Sequence, residues 1–443
     1  MLVALVSPIV RFALWVFFRR LEIRGAEKVP RHRPVLLVAN HPNVMLDTLV
    51  LGAALPTGPP RFLGKSTLFK NTCYGFFLRH LGVIPVARPQ DGSGTGGNQD
   101  MLRQACQVLR QGHALALFPE GGSLPGRQVR QLKPGGARIA LRVEDESQGR
   151  AGVCIVPVGL AYTDPGLFRS DVAVHFGEPI EVSPFLGLYR QRRSAGARKL
   201  TDLVQQRLTA LTWHLDNPAL ETVFADLAQI YTDQVAADLP DSAELGPILR
   251  AGQQLINGIE HFSATEPELV RQLGQRLRLH HRKLRRLRLE PYIFAPETQG
   301  GPGHFFAGLA LAPLALYGFL NNALPYFLPR LLVRPYRQSP EMVGTVKLAA
   351  GALTFPIFYL LRTSVVWSVW GWQWALPFVL SLPLSGLFTL YYNEYFLQRW
   401  PLWQNLIAPR RRRHYLRRLG VERAALLADL DALKRRYLDA ERA

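Results

Sequence analysis

The sequence predicts an α/β fold, a sheet flanked by helices, which is followed by a helical region and a membrane-embedded helical region. In the first half of the chain, short apolar runs typical of buried strands alternate with helical patterns. From about residue 196 to 295 the pattern is helical and contains few turn residues. The segments 305–329, 348–361 and 363–393 carry no charge. Exposed apolar runs of this length would aggregate, so we expect them in the membrane.

These patterns divide the chain into parts that we expect to fold differently. The parts are an N-terminal membrane-associated helix (1–20), an α/β domain (21–215), a helical region (216–300), a transmembrane region (301–400) and a basic cytosolic tail helix (401–443). Residues 1–20 are apolar apart from Arg11 and end in Arg19-Arg20, so their charges stand at the wrong end for a signal peptide. The segment is short for a span. We therefore expect an interfacial helix on the cytosolic leaflet, and a span with its basic end inside is the alternative.

Charge and cysteine content limit the classes of function. The net charge is +20 although 48% of the residues are hydrophobic, and this combination predicts an anionic partner. Nucleic acid would match the charge but not the apolar segments, so we expect an anionic membrane and no nucleic acid. The three cysteines have neither metal-ligand nor redox spacing. We expect reduced thiols in a cytosolic compartment and no metal site.

The most informative polar residues of the α/β half lie in the segment 35–47. Its five apolar residues predict a buried strand that ends at Asn40, and His41 and Asp47 follow. A helix is expected to begin there, with Asn40 as its cap and Pro42 at its first position. A histidine with a carboxylate a turn or two further on can act as a general base. The alternative is that the histidine is merely solvated and the aspartate caps the helix. The pair alone does not decide between a catalytic and a structural role.

Four blocks in a fixed order resemble the glycerolipid (phosphate) acyltransferase family. They are NHPNVMLD (40–47), GVIPVAR (82–88), FPEGGS (118–123) and IVPVGL (155–160), which resemble the family's NHxxxxD, GxIxxxR, FPEGxS and IVPV blocks. The resemblance covers about residues 30–180. The helical insert and the hydrophobic C-terminal third look like the glycerol-3-phosphate/dihydroxyacetone-phosphate acyltransferase branch. The family usually has four residues between the histidine and the aspartate, whereas this chain has five.

The resemblance implies a membrane-bound O-acyltransferase of phosphatidate biosynthesis. Such an enzyme moves a fatty acyl group from a thioester donor to the hydroxyl of glycerol 3-phosphate or dihydroxyacetone phosphate. The alternatives are a 1-acylglycerol-3-phosphate acyltransferase, which acts on a lysophospholipid, and a non-catalytic lipid-binding membrane protein. No cofactor is expected, because acyl-CoA or acyl-carrier protein is the co-substrate. Since acyl donors are cytosolic, we expect the catalytic domain on the cytosolic face of the cell membrane.

The resemblance also implies roles for individual residues. His41 would take the hydroxyl proton and Asp47 would orient His41, and direct attack on the thioester is favoured over a covalent acyl-enzyme. The substrate phosphate-binding residues would be Arg88, Glu120, Gly121, Ser123, Lys65 and Lys133. Arg88 is the first choice because its planar fork suits a phosphate, and for Lys65 and Lys133 a solvated surface charge is the alternative. We expect Glu120 to hold Arg88 or the acceptor hydroxyls.

Charges around the apolar segments predict the membrane topology. The basic clusters at 330–347 and 399–413 belong on the cytosolic side by the positive-inside rule. The segments 348–361 and 375–392 would then cross as a hairpin whose connection holds Arg362 and several tryptophans. The segment 305–329 would return to the side it left, as a re-entrant or interfacial pair of half-helices.

Two further helical patterns leave their partners open. The basic segment 271–289 predicts an amphipathic helix whose cations are either solvated or bind anionic lipid or an acyl-carrier protein. In the tail, apolar residues from Leu426 to Tyr437 share one helix face. That face would pack on the enzyme or pair between chains.

Overall fold

The fold is that of a computed structural model, which describes residues 2–69, 75, 78–79, 82–86, 96–122, 126–164, 166–238, 246–287, 302–336, 339–397 and 410–442. The strands are β1 (Arg20–Arg24), β2 (Val35–Ala39), β3 (Arg61–Lys65), β4 (Val83–Val86), β5 (Leu115–Leu117), β6 (Cys154–Tyr162), β7 (Asp171–Phe176) and β8 (Ile180–Glu181). The helices are α1 (Leu2–Phe17), α2 (Val44–Ala54), α3 (Gly96–Arg110), α4 (Gly135–Glu146), α5 (Leu186–Gln191), α6 (Arg193–Thr209), α7 (Glu221–Asp238), α8 (Pro247–Thr265), α9 (Pro267–Leu287), α10 (Pro302–Leu332), α11 (Pro340–Trp370), α12 (Trp372–Tyr392) and α13 (Arg410–Arg442).

The chain forms two compact units. The first, which we call the sheet unit, consists of Met1–Pro218, Leu239–Gln253 and Ser339–Thr345. The second, the helical unit, consists of the remaining stretches from Ala219 onward. The sheet unit thus takes in short stretches of chain that the sequence patterns assigned to the helical and transmembrane regions.

The sheet unit is built on a mixed sheet. Its described strands run in the order β1-β7-β6-β2-β5-β3-β4, and β8 pairs with the start of β6. Neighbours from β6 to β4 are parallel, while β7 and β8 are antiparallel to β6. Every residue of β2 and β6 is buried, as expected of central strands covered on both faces. The helices α4 and α6 contribute Ile139 and Leu200 to a core that also contains Leu36 and Leu115. The predicted α/β class is therefore confirmed.

The strand register determines which polar residues meet. Val38 of β2 lies opposite Leu117 of β5 and Pro157 of β6. Because these three strands are parallel, their carboxyl ends share one edge of the sheet, where open α/β sheets place their ligand sites. The segments that follow β2 and β5, together with the end of β6, therefore meet at that edge.

In the helical unit, the basic helix α9 packs against the tail helix α13. Arg276 lies 2.7 Å from an Asp429 carboxylate oxygen, and Lys283 Nζ lies 2.7 Å from Glu422. The apolar face of α13, which includes Leu430 and Tyr437, lines a groove together with residues of α7, α8 and α9. The tail helix therefore packs within its own chain, and α13 supplies partners for part of the cationic face of α9.

Helices α10, α11 and α12 each contain a stretch long and apolar enough to cross a membrane. The expected half-helices at 305–329 are wrong, because α10 is one continuous helix with Pro313, Pro325 and Pro329 inside it. Pro329 has no N–H to give the carbonyl oxygen of Pro325, and the hydroxyl of Thr354 donates to that oxygen at 3.1 Å instead. A neighbouring side chain thus satisfies a carbonyl that proline would leave free.

The expected loop around Arg362 is also wrong. Helix α11 continues to Trp370, and Gly371 alone separates it from α12. Arg362 donates to the amide oxygen of Asn321 at 2.5 Å, and the Tyr359 hydroxyl donates to Asn322 at 2.6 Å. Asn321 and Asn322 of α10 therefore accept hydrogen bonds from polar groups of α11.

Candidate active site

A histidine and an aspartate meet at the carboxyl edge of β2. Nδ1 of His41 lies 2.8 Å from Oδ2 of Asp47. The Asp47 side chain is fully buried, whereas 14% of the His41 side chain is exposed. An imidazole whose Nδ1–H donates to a carboxylate keeps its lone pair on Nε2, which is the arrangement that a general base requires.

The local backbone explains how a spacing of five intervening residues still brings the pair together. Helix α2 begins at Val44, so Pro42 and Asn43 lie outside it and accommodate the additional residue. Asp47 is in the first turn of α2, and its Oδ2 accepts the backbone N–H of Asn43 at 2.7 Å. The carboxylate therefore satisfies a backbone group at the helix start while it faces His41.

Asn40 does not cap α2 as the sequence suggested. Its side-chain amide donates to the carbonyl oxygen of Leu160 at 2.9 Å, and its Oδ1 accepts the Leu160 N–H at 2.7 Å. The helix starts later, after Asn43, because Asn40 bonds to the neighbouring strand β6. The polar end of β2 is thereby fixed to β6 one residue before His41.

The Asp47 carboxylate receives a further donor from β6. The hydroxyl of Tyr162 donates to Oδ1 at 2.8 Å. Burial raises the pKa of Asp47, while hydrogen bonds from His41, Asn43 and Tyr162 oppose that rise. Burial next to Asp47 raises the pKa of Tyr162 well above its ordinary value, so this hydroxyl stays protonated and donates.

Glu120 lies on the other side of His41. Its Oε1 accepts the backbone N–H of His41 at 3.3 Å, and its Oε2 lies 3.5 Å from Nε of Arg130. Burial raises the pKa of Glu120, and the His41 N–H and the Arg130 charge oppose that rise. The predicted partner Arg88 lies outside the described residues, so the neighbours of Glu120 that the structure gives are His41 and Arg130.

An aromatic ring covers the imidazole. The Phe118 ring stacks on His41 with a centroid distance of 4.0 Å and an interplanar angle of 11°. Phe118 follows β5 directly, before the turn that carries Glu120. The stack fixes the ring plane of His41, and the bond to Asp47 fixes its rotation within that plane.

A tight turn after Glu120 brings two cations to the site. Gly121 has φ +82°, and a Cβ there would lie 2.7 Å from Cε of Lys133. The backbone N–H of Lys133 donates to the Pro119 carbonyl at 3.0 Å. An Arg130 guanidinium nitrogen donates to the Gly122 carbonyl. The predicted residues Glu120, Gly121 and Lys133 therefore lie together, with Arg130 beside them.

Other predicted residues cannot be placed in the same way. Ser123, like Arg88, lies outside the described residues, and of Lys65 the structure describes the backbone, at the end of β3. Across the described ranges, no three or more His, Cys, Asp or Glu side chains group as metal ligands would.

Sequence reasoning missed Tyr162, Phe118 and Arg130. The signal for Tyr162 was available: β6 runs to Tyr162, whereas the IVPVGL block ends at Leu160, so a longer strand would have placed a phenol at the active edge.

Comparison with known proteins agrees with this geometry. Residues 20–161 match the family model "Acyltransferase". An uncharacterized acyltransferase of Schizosaccharomyces pombe is 24% identical over 365 residues, which are 62% of this chain and 52% of that protein. Glycerol-3-phosphate O-acyltransferase 1 of Saccharomyces cerevisiae is 23% identical over 341 residues, 57% of this chain and 44% of that protein. The matches thus span about half the length of each yeast protein.

Bacterial proteins also match part of this chain. A 1-acyl-sn-glycerol-3-phosphate acyltransferase of Borreliella burgdorferi is 25% identical over 219 residues, 48% of this chain and 77% of that protein. The crystal structure of the 1-acyl-sn-glycerophosphate acyltransferase PlsC from Thermotoga maritima covers 46% of this chain and 77% of that one, with a TM-score of 0.35 and 21% identity. The family model includes both His41 and Asp47, whose pairing the structure shows. Residues 20–161 of this chain are a domain of the acyltransferase family.

Proposed function

We propose that this chain is a membrane-bound O-acyltransferase that transfers a fatty acyl group from a thioester donor to the hydroxyl of glycerol 3-phosphate or dihydroxyacetone phosphate. The observation that carries the proposal is the 2.8 Å contact between His41 Nδ1 and the fully buried Asp47 carboxylate. A second candidate is transfer to lysophosphatidate. It is favoured by the similarity to the 1-acyl-sn-glycerol-3-phosphate acyltransferase of Borreliella burgdorferi.

The geometry supports direct transfer with His41 as the general base. Nε2 of His41 takes the proton of the acceptor hydroxyl while that oxygen attacks the thioester carbonyl carbon. The tetrahedral oxyanion then collapses, the carbon–sulfur bond breaks, and the leaving thiolate recovers the proton from the imidazolium. Asp47 stabilises the imidazolium between these two transfers. The amides of Gly121 and Gly122 are candidate donors to the oxyanion.

The described cysteines are poor nucleophiles. Burial raises the pKa of Cys154 to about 11, and it also raises the pKa of Cys106. A thiol attacks as its thiolate, which a high pKa makes scarce at neutral pH. This supports direct attack by the acceptor over a cysteine-linked acyl-enzyme.

A phosphorylated acceptor needs cationic partners near the base. Arg130 and Lys133 lie beside Glu120 and the Gly121 turn, close to the backbone of His41. We assign the phosphate to this cationic side of the site, and Arg88 remains a predicted ligand. Glu120 holds Arg130 in place and, through the His41 N–H, links the cationic side to the base.

An assay of the purified protein in detergent tests the proposed function. Glycerol 3-phosphate, dihydroxyacetone phosphate and lysophosphatidate would each be combined with acyl-CoA and with acyl-carrier protein, and His41→Gln would serve as the inactive control. We expect His41-dependent ester formation with at least one phosphorylated acceptor. Full activity of His41→Gln, or no transfer with any pair, would contradict the proposal and leave the lipid-binding alternative.

Helix α1 supports attachment to a membrane surface. One of its faces packs into the sheet unit through Leu14 and Phe17, which are buried. The opposite face exposes Ile9, Phe12 and Trp15, each by more than half of its surface. A helix that buries one apolar face in protein and exposes another is suited to lie in the lipid interface. We propose that α1 anchors the sheet unit in this way on the cytosolic leaflet.

The contacts of α9 and α13 limit the number of crossings. These helices precede α10 and follow α12, and their ion pairs hold them together, so both lie on one side of the membrane. An even number of α10, α11 and α12 must then cross. Two observations favour different pairs. The Thr345 hydroxyl accepts the Leu46 N–H at 3.2 Å, so the start of α11 lies with the catalytic unit, which favours α11 and α12 as the crossing pair. Asn322 of α10 donates to the Leu382 carbonyl of α12, which favours α10 and α12.

Cysteine labelling decides between the pairs. Single cysteines at Arg337 and Gln373 would be introduced on a background that lacks Cys73, Cys106 and Cys154. With α11 and α12 as the crossing pair, an impermeant thiol reagent added to intact cells labels position 373 and spares 337. Labelling of 337 from outside would overturn that pair, and labelling of both 337 and 373 would support α10 with α12.

A further inference from the structure

We propose that Tyr162 is a positioning residue of the acyl transfer, and that its hydroxyl holds the Asp47 carboxylate in the orientation that serves His41. The inference rests on the proposed function and adds a residue outside the four sequence blocks. It follows from the hydrogen-bond donors of Asp47, which differ between its two carboxylate oxygens.

The two oxygens of Asp47 have different partners. Oδ2 faces Nδ1 of His41 at 2.8 Å and the Asn43 N–H at 2.7 Å. Oδ1 accepts the Tyr162 hydroxyl at 2.8 Å. A carboxylate rotates about a single bond, so partners on one oxygen alone constrain that rotation weakly. The hydroxyl of Tyr162 fixes the second oxygen and with it the plane of the group.

The hydroxyl is itself held in place. Tyr162 is the last residue of β6 and is 5% exposed. Two residues earlier, the Asn40 side chain bonds to both backbone groups of Leu160. On its other side, the Tyr162 ring packs against Phe18 with a centroid distance of 6.0 Å. The Tyr162 side chain is therefore held in one position, so its hydroxyl bonds to Asp47 in one orientation of the carboxylate.

Tyr162 is placed to act through Asp47 rather than on substrate. Its hydroxyl is directed to a carboxylate that is completely buried, and burial keeps it protonated. Of the His41–Asp47 pair, the side chain with exposed surface is that of His41. A donor in this position stabilises the Asp47 anion and lowers the effective charge that the imidazole meets.

Loss of the hydroxyl changes the titration of the pair in one direction. The charged groups around it are Asp47 on α2, Glu120 after β5 and Arg130 beyond it. Without the Tyr162 donor, the buried Asp47 carboxylate takes up a proton more readily. This favours the protonated, inactive pair, so the acid limb of the pH–rate profile moves to higher pH.

The test compares Tyr162→Phe with Tyr189→Phe, which removes a hydroxyl from another buried tyrosine of the same unit. For Tyr162→Phe we expect kcat to fall by about 10- to 100-fold, as for a lost hydrogen bond to a charged group. The acceptor KM should stay within about threefold, because substrate contacts remain. The acid limb should move to higher pH. Tyr189→Phe should leave kcat and the pH profile unchanged.

A double variant isolates the interaction. In an Asp47→Asn background the hydroxyl no longer stabilises an anion, so adding Tyr162→Phe should lower kcat much less than it does alone. If Tyr162→Phe does not fold, 3-fluorotyrosine at position 162 replaces it. That residue is a stronger donor of nearly the same shape, and it should move the acid limb to lower pH.

The outcomes separate this inference from the proposed function. An inactive wild-type protein would overturn both. An active wild type with an unchanged acid limb in Tyr162→Phe, whatever its rate, would leave the proposed function standing and reduce Tyr162 to a packing residue. Equal losses in the Tyr162→Phe and Tyr189→Phe variants would lead to the same conclusion.

Discussion

The substitution Asp47→Asn tests the histidine–aspartate pair with a minimal change in shape. The asparagine oxygen can still accept the Tyr162 hydroxyl, which now donates to Oδ1 at 2.8 Å. If its NH₂ group takes the place of Oδ2, it faces both Nδ1 of His41 and the Asn43 N–H, and the imidazole must carry its proton on Nε2, which removes the base. If the NH₂ group instead donates to the Tyr162 oxygen, the tautomer is kept, but a neutral amide no longer stabilises the imidazolium.

The expected loss follows from the wrong tautomer or from the lost negative charge, depending on the amide orientation. The wrong tautomer in a comparable triad costs about 10⁴-fold in kcat, and loss of a general base costs about 10²- to 10⁴-fold. We expect Asp47→Asn to lower kcat by about 10³-fold or more. Asp145→Asn is the matched control, because Asp145 pairs with Arg190 on the outside of the same unit.

Acyl transfer from a radiolabelled donor in detergent micelles gives kcat, and thermal melting shows whether each variant is folded. A folded Asp47→Asn protein with kcat within tenfold of wild type would refute the reasoning, since another group would then have to orient His41. Loss of activity in Asp145→Asn to the same degree would show that the assay reports general damage to the unit.

Three further outcomes are expected. Arg88→Lys should raise the acceptor KM with little change in the donor KM, because an ammonium does not reproduce the bidentate fork; equal damage to both would argue for a scaffold role. Gly121→Ala should lower kcat by about tenfold or more, since its φ of +82° disfavours a side chain and a Cβ would meet Lys133, whereas Gly122→Ala, with open space around it, should be mild. Burial lowers the pKa of His280 from 6.5 to about 4, so the unfolded chain binds the proton more readily and the melting temperature should fall as pH drops from about 6.5 toward 4. His280→Gln should flatten that dependence, and an unchanged slope would contradict the assignment.

The sequence was sufficient to predict the sheet and the pairing of His41 with Asp47. The resemblance grouped Glu120 and Lys133 as phosphate-binding residues, and the structure brings their segments together at the Gly121 turn. Tyr162 and Arg130 were missed because both lie outside the four blocks, although the length of β6 gave a signal for Tyr162. Their roles depend on strand order and on the exact end of β6.

The apolar third shows where local rules mislead. Prolines inside a helical pattern predict a break or a kink. In α10, the Pro325 carbonyl has no N–H partner at Pro329 and instead accepts a hydrogen bond from the Thr354 hydroxyl of α11. Asn322 of α10 donates to the Leu382 carbonyl of α12. Hydrogen bonds from neighbouring helices thus replace the backbone hydrogen bonds that the prolines of α10 remove. The sequence of α10 alone does not predict these partners.

The discontinuity of the sheet unit has a consequence for synthesis of the chain on the ribosome. The segment that carries His41 and Asp47 is made early, but residues 339–345 also belong to this unit, and Thr345 accepts the N–H of Leu46, the residue before Asp47. A nascent chain that has reached residue 218 has all eight described strands yet lacks the last contact at the start of α2. That contact can form only after α10 has emerged and the first turn of α11 has followed it. The order of synthesis therefore delays completion of the surroundings of Asp47 until the first apolar segment of the C-terminal third has been made.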